Sequence, residues 1–306
     1  MDTNELLRKI TTLPIIASSL AEEMLAGDFS SIFKGQGMEF DEARHYEMGD
    51  DIRSIDWNAS ARFGTPYVKM YREERELTIL ILMDISHSMY RGIISRYGYS
   101  PYEQGLISAA LMAFSAEHTG QQVGAFFFDS GIEKVFPPRK ERRHIMSIIR
   151  EAVQYQNKDI AHNKSNQSSN ISAALAGAQR LLKRRSLVVI ISDFYSINWE
   201  HEMGNLCRKH DVIALRVCDP PDLPYPGLIT MKDAETGIKI EAPAGLESFR
   251  ESWSQWHRER SAWWVSQCRR SGAAFLELST TADAHSALLH FFGSHARSQS
   301  KYREHR

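Results

Sequence analysis

The stretch Leu77-Thr-Ile-Leu-Ile-Leu-Met83, followed at once by Asp84-Ile-Ser86-His-Ser88, decides the fold class. An uncharged run rich in Ile and Leu is typical of a strand that is buried on both faces of a parallel sheet. Open α/β sheets bind their ligands at the carboxyl ends of the strands. Asp84, Ser86 and Ser88 stand at such an end, so we interpret them as part of a metal site, with a helix cap as the alternative for the serines.

A second strand of the same type, Ser186 to Ser192, ends on Asp193. The two aspartates are therefore expected to converge where the strand order of the sheet reverses. Between them in sequence, the cluster Ser168-Ser169-Asn170 precedes a helical pattern and offers one more hydroxyl. A site made of carboxylate and hydroxyl oxygens suits Mg²⁺ or Mn²⁺ rather than Zn²⁺. With two carboxylates at most, it would keep waters or an open position for a partner's carboxylate.

This pattern resembles the metal-ion-dependent adhesion site of von Willebrand factor type A domains, which reads Asp-x-Ser-x-Ser, then a Thr, then an Asp. Asp84, Ser86 and Ser88 match the first element, and Asp193 matches the last. Where the pattern has Thr, this chain offers Ser169, with Ser168 as the alternative. The resemblance therefore implies a metal ligand set of Asp84, Ser86, Ser88, Ser169 and Asp193.

An upstream signature narrows the resemblance to the bacterial Domain of Unknown Function 58 family. It comprises Gly35-Gln-Gly-Met-Glu39-Phe-Asp41-Glu42-Ala-Arg44-His-Tyr46-Glu-Met-Gly49-Asp50-Asp51-Ile-Arg53-Ser-Ile-Asp56-Trp57-Asn58-Ala-Ser-Ala-Arg62, then Pro66-Tyr67-Val68-Lys69 and Arg72-Glu73-Glu74. The similarity continues through the metal motif to about residue 200. It implies a von Willebrand A-like module that works beside a MoxR-type AAA+ ATPase, in systems that mature or remodel other protein complexes. Other von Willebrand A proteins or membrane-anchored proteins of the same system are a further class of partner.

The alternation of strand and helix patterns after residue 77 predicts an α/β fold: a von Willebrand A-like, Rossmann-type open sheet flanked by helices. We predict a helical and β-rich N-terminal appendage over residues 1–76, the main domain over 77–292 and a polar, frayed tail over 293–306. The N-terminal helix, Asn4 to Leu25, is expected to be interrupted near Pro14. A hairpin-like turn at Asp129-Ser-Gly131 predicts the antiparallel edge expected of a von Willebrand A sheet.

Composition limits the function classes. The chain has 306 residues and a formal net charge of −1, which gives no long-range attraction to nucleic acid or to an anionic membrane. Its three cysteines lack metal-binding or redox spacing and indicate a reducing compartment, so we expect a cytoplasmic protein. Its apolar segments are strand-length and its N-terminus lacks signal-peptide architecture, which predicts no direct membrane insertion.

Two functions fit the candidate site. The first is a non-enzymatic interaction module whose metal completes its coordination with an acidic residue of a partner, with the 35–76 region contributing to docking. The alternative is a metal-dependent hydrolase, such as a phosphoesterase, that uses the same carboxylates to activate water. We favour the first because the sequence has no nucleophile with an adjacent base, no ligands for a second metal and no phosphate-binding glycine loop.

A tryptophan-rich segment has two interpretations. Trp253, Trp256, Trp263 and Trp264 lie on one long helical pattern. They are expected to pack that helix on the sheet; the alternative is a partly exposed docking surface.

Overall fold

The computed structural model describes residues 3–26, 39–47, 50–51, 54–72, 77–90, 99–161, 169–220, 227–232 and 239–303. In chain order its elements are α1 (Thr3–Ala26), β1 (Glu39–His45), α2 (Trp57–Phe63), β2 (Tyr67–Arg72), β3 (Thr78–Asp84), a short 3-10 helix (His87–Tyr90), α3 (Pro101–His118), β4 (Gln122–Phe128), β5 (Ile132–Arg139), α4 (Arg142–Ala161), α5 (Ile171–Leu181), β6 (Leu187–Ser192), α6 (Glu200–Cys207), β7 (Asp211–Cys218), β8 (Leu228–Lys232), β9 (Lys239–Pro243), α7 (Glu247–Ser271), β10 (Ala274–Ser279) and α8 (Ala284–Arg303). They fall into two compact units, one of Met1–Ser30 with Leu77–Arg306 and one of Ser31–Glu76.

Within the described part of the larger unit, six strands form one sheet in the order β10-β7-β6-β3-β4-β5. All neighbouring pairs are parallel except β4 and β5, which pair antiparallel. Helices α5, α6 and α7 share one hydrophobic core with the sheet, and α1, α3, α4 and α8 form a second packed group. The predicted fold class is confirmed, and so is the antiparallel edge after the turn at Asp129.

The central strands carry the core. Every residue of β6 is buried, as is every residue of β3 after Thr78. Such runs are stable only where helices cover both faces of the sheet, because a strand with no polar face cannot be exposed to water. The burial continues to the carboxyl ends of both strands, so the polar residues there are held on a rigid support.

The helix α1 differs from the prediction in two ways. It is continuous from Thr3 to Ala26 and holds Pro14 in its interior. Its buried face, which includes Leu6, Ile10 and Leu20, packs against α3 and α8. That tertiary packing stabilises the helix on both sides of the proline, and it joins α1 to the larger unit rather than to the appendage that was predicted over residues 1–76.

Two further elements differ from the predictions. The last helix, predicted to end near Phe292, runs to Arg303, so the region 293–303 is helical rather than a frayed tail. The antiparallel hairpin of β8 and β9 lies between β7 and α7 and had no predicted counterpart. Its strands are five residues each and carry no long apolar run, which is the signal on which the other strands were predicted.

The smaller unit pairs β1 with β2 antiparallel and carries α2 between them. Asp56 caps α2, since its side chain accepts hydrogen bonds from the backbone amides of Asn58 and Ala59. Asp50 forms an ion pair with Arg44 at 2.7 Å. These two carboxylates therefore stabilise the local structure of the smaller unit.

The contact between α3 and β6 is tight enough to test. A Cβ atom on Gly105 would lie 2.9 Å from Cγ2 of Ile191, which is fully buried. We expect Gly105→Val to lower the free energy of unfolding by about 1–3 kcal/mol in urea titrations followed by circular dichroism. Gly204→Ala in α6 is the control, because its Cβ meets nothing within 4 Å and the gain in helix propensity is up to about 1 kcal/mol. Equal stability of Gly105→Val and the parent would contradict this account of the packing.

Candidate metal centre

The candidate site lies at the carboxyl ends of β3 and β6. These strands are neighbours in the sheet. From β3 the chain continues to β4 on one side, whereas β6 lies on the other side of β3. The carboxyl ends of β3 and β6 therefore form the switch point of the sheet. Met83 pairs with Ile191 in the parallel register. Asp84 therefore lies level with Ser192, and Asp193 stands one residue further along.

Asp84 is fully buried and is held by polar neighbours on both carboxylate oxygens. The backbone amide of Ser86 donates to Oδ1 at 2.9 Å. The hydroxyls of Ser169 and Ser192 donate to Oδ2 at 2.8 Å and 2.6 Å. The side chain is therefore fixed in one orientation at the strand end.

Ser169 reaches Asp84 because the residue after it is anchored twice. The amide of Asn170 donates to the carbonyl of Asp129, 2.7 Å away, at the end of β4. The Asn170 side chain accepts from the amide of Ala173 and caps α5. Of the two serines proposed for the third hydroxyl, the structure brings Ser169 to Asp84, and Ser168 lies outside the described residues.

Asp193 is also buried, but its two oxygens differ. The amide of Tyr195 donates to Oδ1 at 3.0 Å, and the nearby Ser88 hydroxyl lowers the pKa of the same carboxylate. Oδ2 is inaccessible to solvent and accepts no hydrogen bond. The hydroxyl oxygens of Ser88 and Ser86 are 3.1 Å apart. Ser86 bonds Asp84 and Ser88 lies near Asp193, so the two serines connect the two aspartates.

The electrostatics of the pair are unfavourable for two negative charges. Burial raises the pKa of Asp84, although hydrogen bonds from Ser192, Ser86 and Ser169 oppose the shift. Burial, and then the charge of Asp84, raise the pKa of Asp193 to about 7, against the opposing effects of Ser88, the Tyr195 amide and the Arg260 charge. A bound cation would offset both the lost hydration and the mutual repulsion.

The donor set fits a hard divalent cation. Asp193 Oδ2 is a buried acceptor without a hydrogen bond, and a serine hydroxyl that donates to a carboxylate keeps lone pairs for a metal. Among the described residues, no group of three or more His, Cys, Asp or Glu side chains is placed to hold a metal ion. Coordination at this edge would thus depend on hydroxyl oxygens, waters and two carboxylates, as Mg²⁺ and Mn²⁺ allow and as Zn²⁺ does not favour.

A family model described as "Protein of unknown function DUF58" matches residues 42–262. The chain belongs to this family. An uncharacterized protein of Mycobacterium tuberculosis strain H37Rv is 28% identical over 303 residues, which cover 97% of this chain and 92% of that protein. An uncharacterized protein of Mycobacterium avium is 31% identical over 131 residues, or 42% of this chain and 77% of that protein.

Two solved structures are similar to part of the chain. BatB from Bacteroides thetaiotaomicron superposes with a TM-score of 0.43 and 16% identity, over 72% of this chain and 99% of that one. An aerotolerance-related membrane protein from Bacteroides fragilis gives a TM-score of 0.42 and 15% identity, with the same coverage. In the described part of this DUF58 chain, no helix has both the length and the apolar character needed to cross a membrane.

Two residues at the site were not predicted. Ser192 connects Asp84 to the next loop, since its hydroxyl also accepts from the amide of Phe194 at 3.0 Å. Its place directly before Asp193 was visible in the sequence, but its reach to Asp84 depends on the strand register. Arg260 lies on α7 and donates to the Phe194 carbonyl at 3.0 Å. No sequence signal connects it to a motif almost seventy residues earlier.

The loop after Asp193 is held in an uncommon conformation. Phe194 has a φ of 54°, which a bulky residue adopts only where its surroundings impose it. Its ring is buried and packs against Trp199 and Trp264 at centroid distances of 5.3 Å and 5.4 Å. This packing turns the Tyr195 amide back toward Asp193.

Ser192→Ala tests the hydrogen bonding at this site. The substitution leaves the buried Asp84 carboxylate and the Phe194 amide each without one partner, so we expect the free energy of unfolding to fall by about 1–3 kcal/mol. Ser252→Ala is the matched control, because it removes an exposed hydroxyl that bonds within α7, and its effect should stay within about 0.5 kcal/mol. Denaturant titration measures both. Indistinguishable transitions for the two variants would refute the assigned role of Ser192.

Proposed function

We propose that this chain is a non-enzymatic protein-interaction module with a metal-ion-dependent adhesion-type site that binds Mg²⁺ or Mn²⁺. The proposed ligands are Asp84, Ser86, Ser88, Ser169 and Asp193, directly or through water. The observation that carries the proposal is the buried Oδ2 of Asp193, which accepts no hydrogen bond beside a second buried carboxylate. A cation supplies what that arrangement lacks.

The partner is proposed from the chemistry of such a metal and from the family resemblance. A cation held largely by neutral hydroxyls keeps part of its charge uncompensated, and an Asp or Glu side chain of another protein would be both ligand and counter-charge. We propose that the chain acts in the cytoplasm with a MoxR-type AAA+ ATPase, in the maturation or remodelling of protein complexes. Other von Willebrand A or membrane-anchored proteins of the same system are the second proposed class of partner.

The hydrolase alternative gains no support from the described contacts. The groups that bond the two carboxylates are serine hydroxyls and backbone amides. Apart from the two carboxylates that would hold the metal, these contacts include no further side chain that could take up the proton of an attacking water. We therefore propose binding rather than turnover as the role of the site.

Metal binding is tested by titration calorimetry on chelator-treated protein. We expect Mg²⁺ and Mn²⁺ to bind weakly with one-site stoichiometry, since the site has only two carboxylates. Asp84→Ala should give no binding heat at concentrations that saturate the parent, whereas Asp50→Ala, which removes a carboxylate from the smaller unit, should titrate normally. Unchanged binding by Asp84→Ala would place the metal elsewhere, and circular dichroism shows whether that variant is folded.

Partner binding is tested with the purified MoxR-type ATPase of the same organism. Ser86→Ala combined with Ser88→Ala removes two proposed ligands, so we expect the affinity for the ATPase to fall at least about tenfold and its Mg²⁺ dependence to disappear. Ser86 is buried, so the double variant should also lose about 1–3 kcal/mol of stability and is assayed well below its melting temperature.

The matched control for the ATPase assay is Ser18→Ala with Ser19→Ala, which removes two hydroxyls that bond carbonyls of α1, one of which also bonds His285 on α8. It should bind like the parent. If chelator and the Ser86 and Ser88 substitutions leave ATPase binding unchanged, the metal is not the docking element.

A further inference from the structure

Four large apolar side chains face solvent next to the candidate metal centre. Tyr195 is 38% exposed, Ile197 75%, Trp256 42% and Trp263 40%. Three of the four are aromatic, and we call the set, including Ile197, the aromatic stripe. The expectation that the tryptophans of α7 pack on the sheet holds for Trp264, which is buried; Trp253 is half-buried, and Trp256 and Trp263 are exposed.

The stripe is an ordered surface rather than scattered residues. Trp256 and Trp263 are two helical turns apart on α7 and share one face of it. Tyr195 stacks on Trp256, with ring centroids 6.5 Å apart and an angle of 18° between the planes. Trp263 packs edge-on against the buried Trp199 at 6.2 Å. Because Trp263 packs on a buried ring and Tyr195 stacks on Trp256, these rings are restrained, and a partner would lose little side-chain entropy when it binds them.

Contacts with the backbone of one loop join the stripe to the candidate metal centre. Tyr195 donates its amide to Asp193, and Arg260 of α7 donates to the carbonyl of Phe194 between them. Ile197 belongs to the same loop, three residues after Phe194. One surface of the larger unit therefore contains both the proposed cation and the exposed rings.

Arg260 places a positive charge over two rings of the stripe, beside the exposed carboxylate of Glu259. The guanidinium carbon of Arg260 lies 4.1 Å from the ring centroid of Tyr195 and 5.7 Å from that of Trp256. The neighbouring carboxylate of Glu259 is exposed, but it accepts a hydrogen bond from Gln255 on its own helix. Arg260 and a divalent cation together favour a negatively charged ligand, and the rings favour an apolar one.

We propose that the aromatic stripe is the apolar half of a docking surface for a segment of a partner protein that carries an acidic side chain followed within a few residues by large apolar side chains. The acidic group would lie at the candidate metal centre and Arg260, and the apolar groups would lie on the rings. This proposal rests on the proposed function, since it extends the same site, and it adds the sequence character of the segment that the site selects.

The test is a selection of random ten-residue peptides, displayed on phage, on the immobilised full chain in Mg²⁺. We expect enrichment of peptides that have Asp or Glu followed within about four residues by aromatic or branched aliphatic side chains. The affinity of the best synthetic peptide is then measured by fluorescence anisotropy. Enrichment of basic peptides, or of peptides without apolar residues, would overturn the proposal.

Matched substitutions in the stripe separate charge from packing. Ile197 is the most exposed member, so Ile197→Glu and Ile197→Lys should both fold. We expect Ile197→Glu to weaken binding of the acidic peptide at least about tenfold, and Ile197→Lys to weaken it much less or not at all. Trp263→Ser should also weaken binding about tenfold. Ile15→Ser on α1 is the control for loss of an exposed apolar side chain and should have no effect. Equal affinities for all four variants would overturn the proposal.

The same assay separates this proposal from the proposed function. Binding that requires Mg²⁺ and Asp84 but ignores the Ile197 and Trp263 substitutions would refute the stripe and leave the metal-dependent function intact. Binding that depends on the stripe but survives chelator and Asp84→Ala would refute the metal's role and leave the stripe. Self-association in sedimentation that Trp263→Ser abolishes would assign the stripe to a second copy of the chain. Pelleting with phosphatidylcholine–phosphatidylglycerol vesicles that the same substitution abolishes would assign it to a lipid surface. Either result would overturn the proposal.

Discussion

The buried carboxylate of Asp84 is the group on which the candidate site depends. It joins three parts of the chain, because the loop after β3, Ser169 in the segment before α5 and the end of β6 all donate hydrogen bonds to it. A charge at such a depth is stable only where its hydrogen bonds are complete or a counter-charge is near. The geometry of the switch point is therefore organised around one side chain, and the polar residues of both neighbouring loops face it.

A second carboxylate at the site lacks a full set of hydrogen-bond partners. Burial, and then the charge of the nearby Asp84, raise the pKa of Asp193, yet one of its oxygens accepts no hydrogen bond. A protein that needed only structural hydrogen bonds here would be more stable with an amide or an apolar group at one of the two positions. Groups that cost stability and are held rigidly are characteristic of functional sites, and this pair has both properties.

The aromatic packing behind the site explains how its second loop is held. The ring of Phe194 fills the core between Trp199 and Trp264, and this anchoring forces a left-handed backbone at that residue. The turn directs one amide to Asp193 and presents the next side chains to solvent. The candidate metal site and the aromatic stripe thus share this loop, since Tyr195 bonds Asp193 through its amide and stacks on Trp256 through its ring.

The sequence by itself determined the elements whose signals are local. Uncharged apolar runs identified β3 and β6, the turn at Asp129 identified the antiparallel edge, and the oxygen-rich residues after the two central strands identified Asp84, Ser86, Ser88 and Asp193 as neighbours. Tertiary structure alone decided the rest. Packing against α3 and α8 keeps α1 continuous through Pro14, the register of β3 with β6 brings Ser192 to Asp84, and the seating of α7 brings Arg260 to the loop at Phe194. Periodicity and propensity act over a few residues, whereas register and helix packing depend on contacts between residues far apart in the chain, which no local pattern encodes.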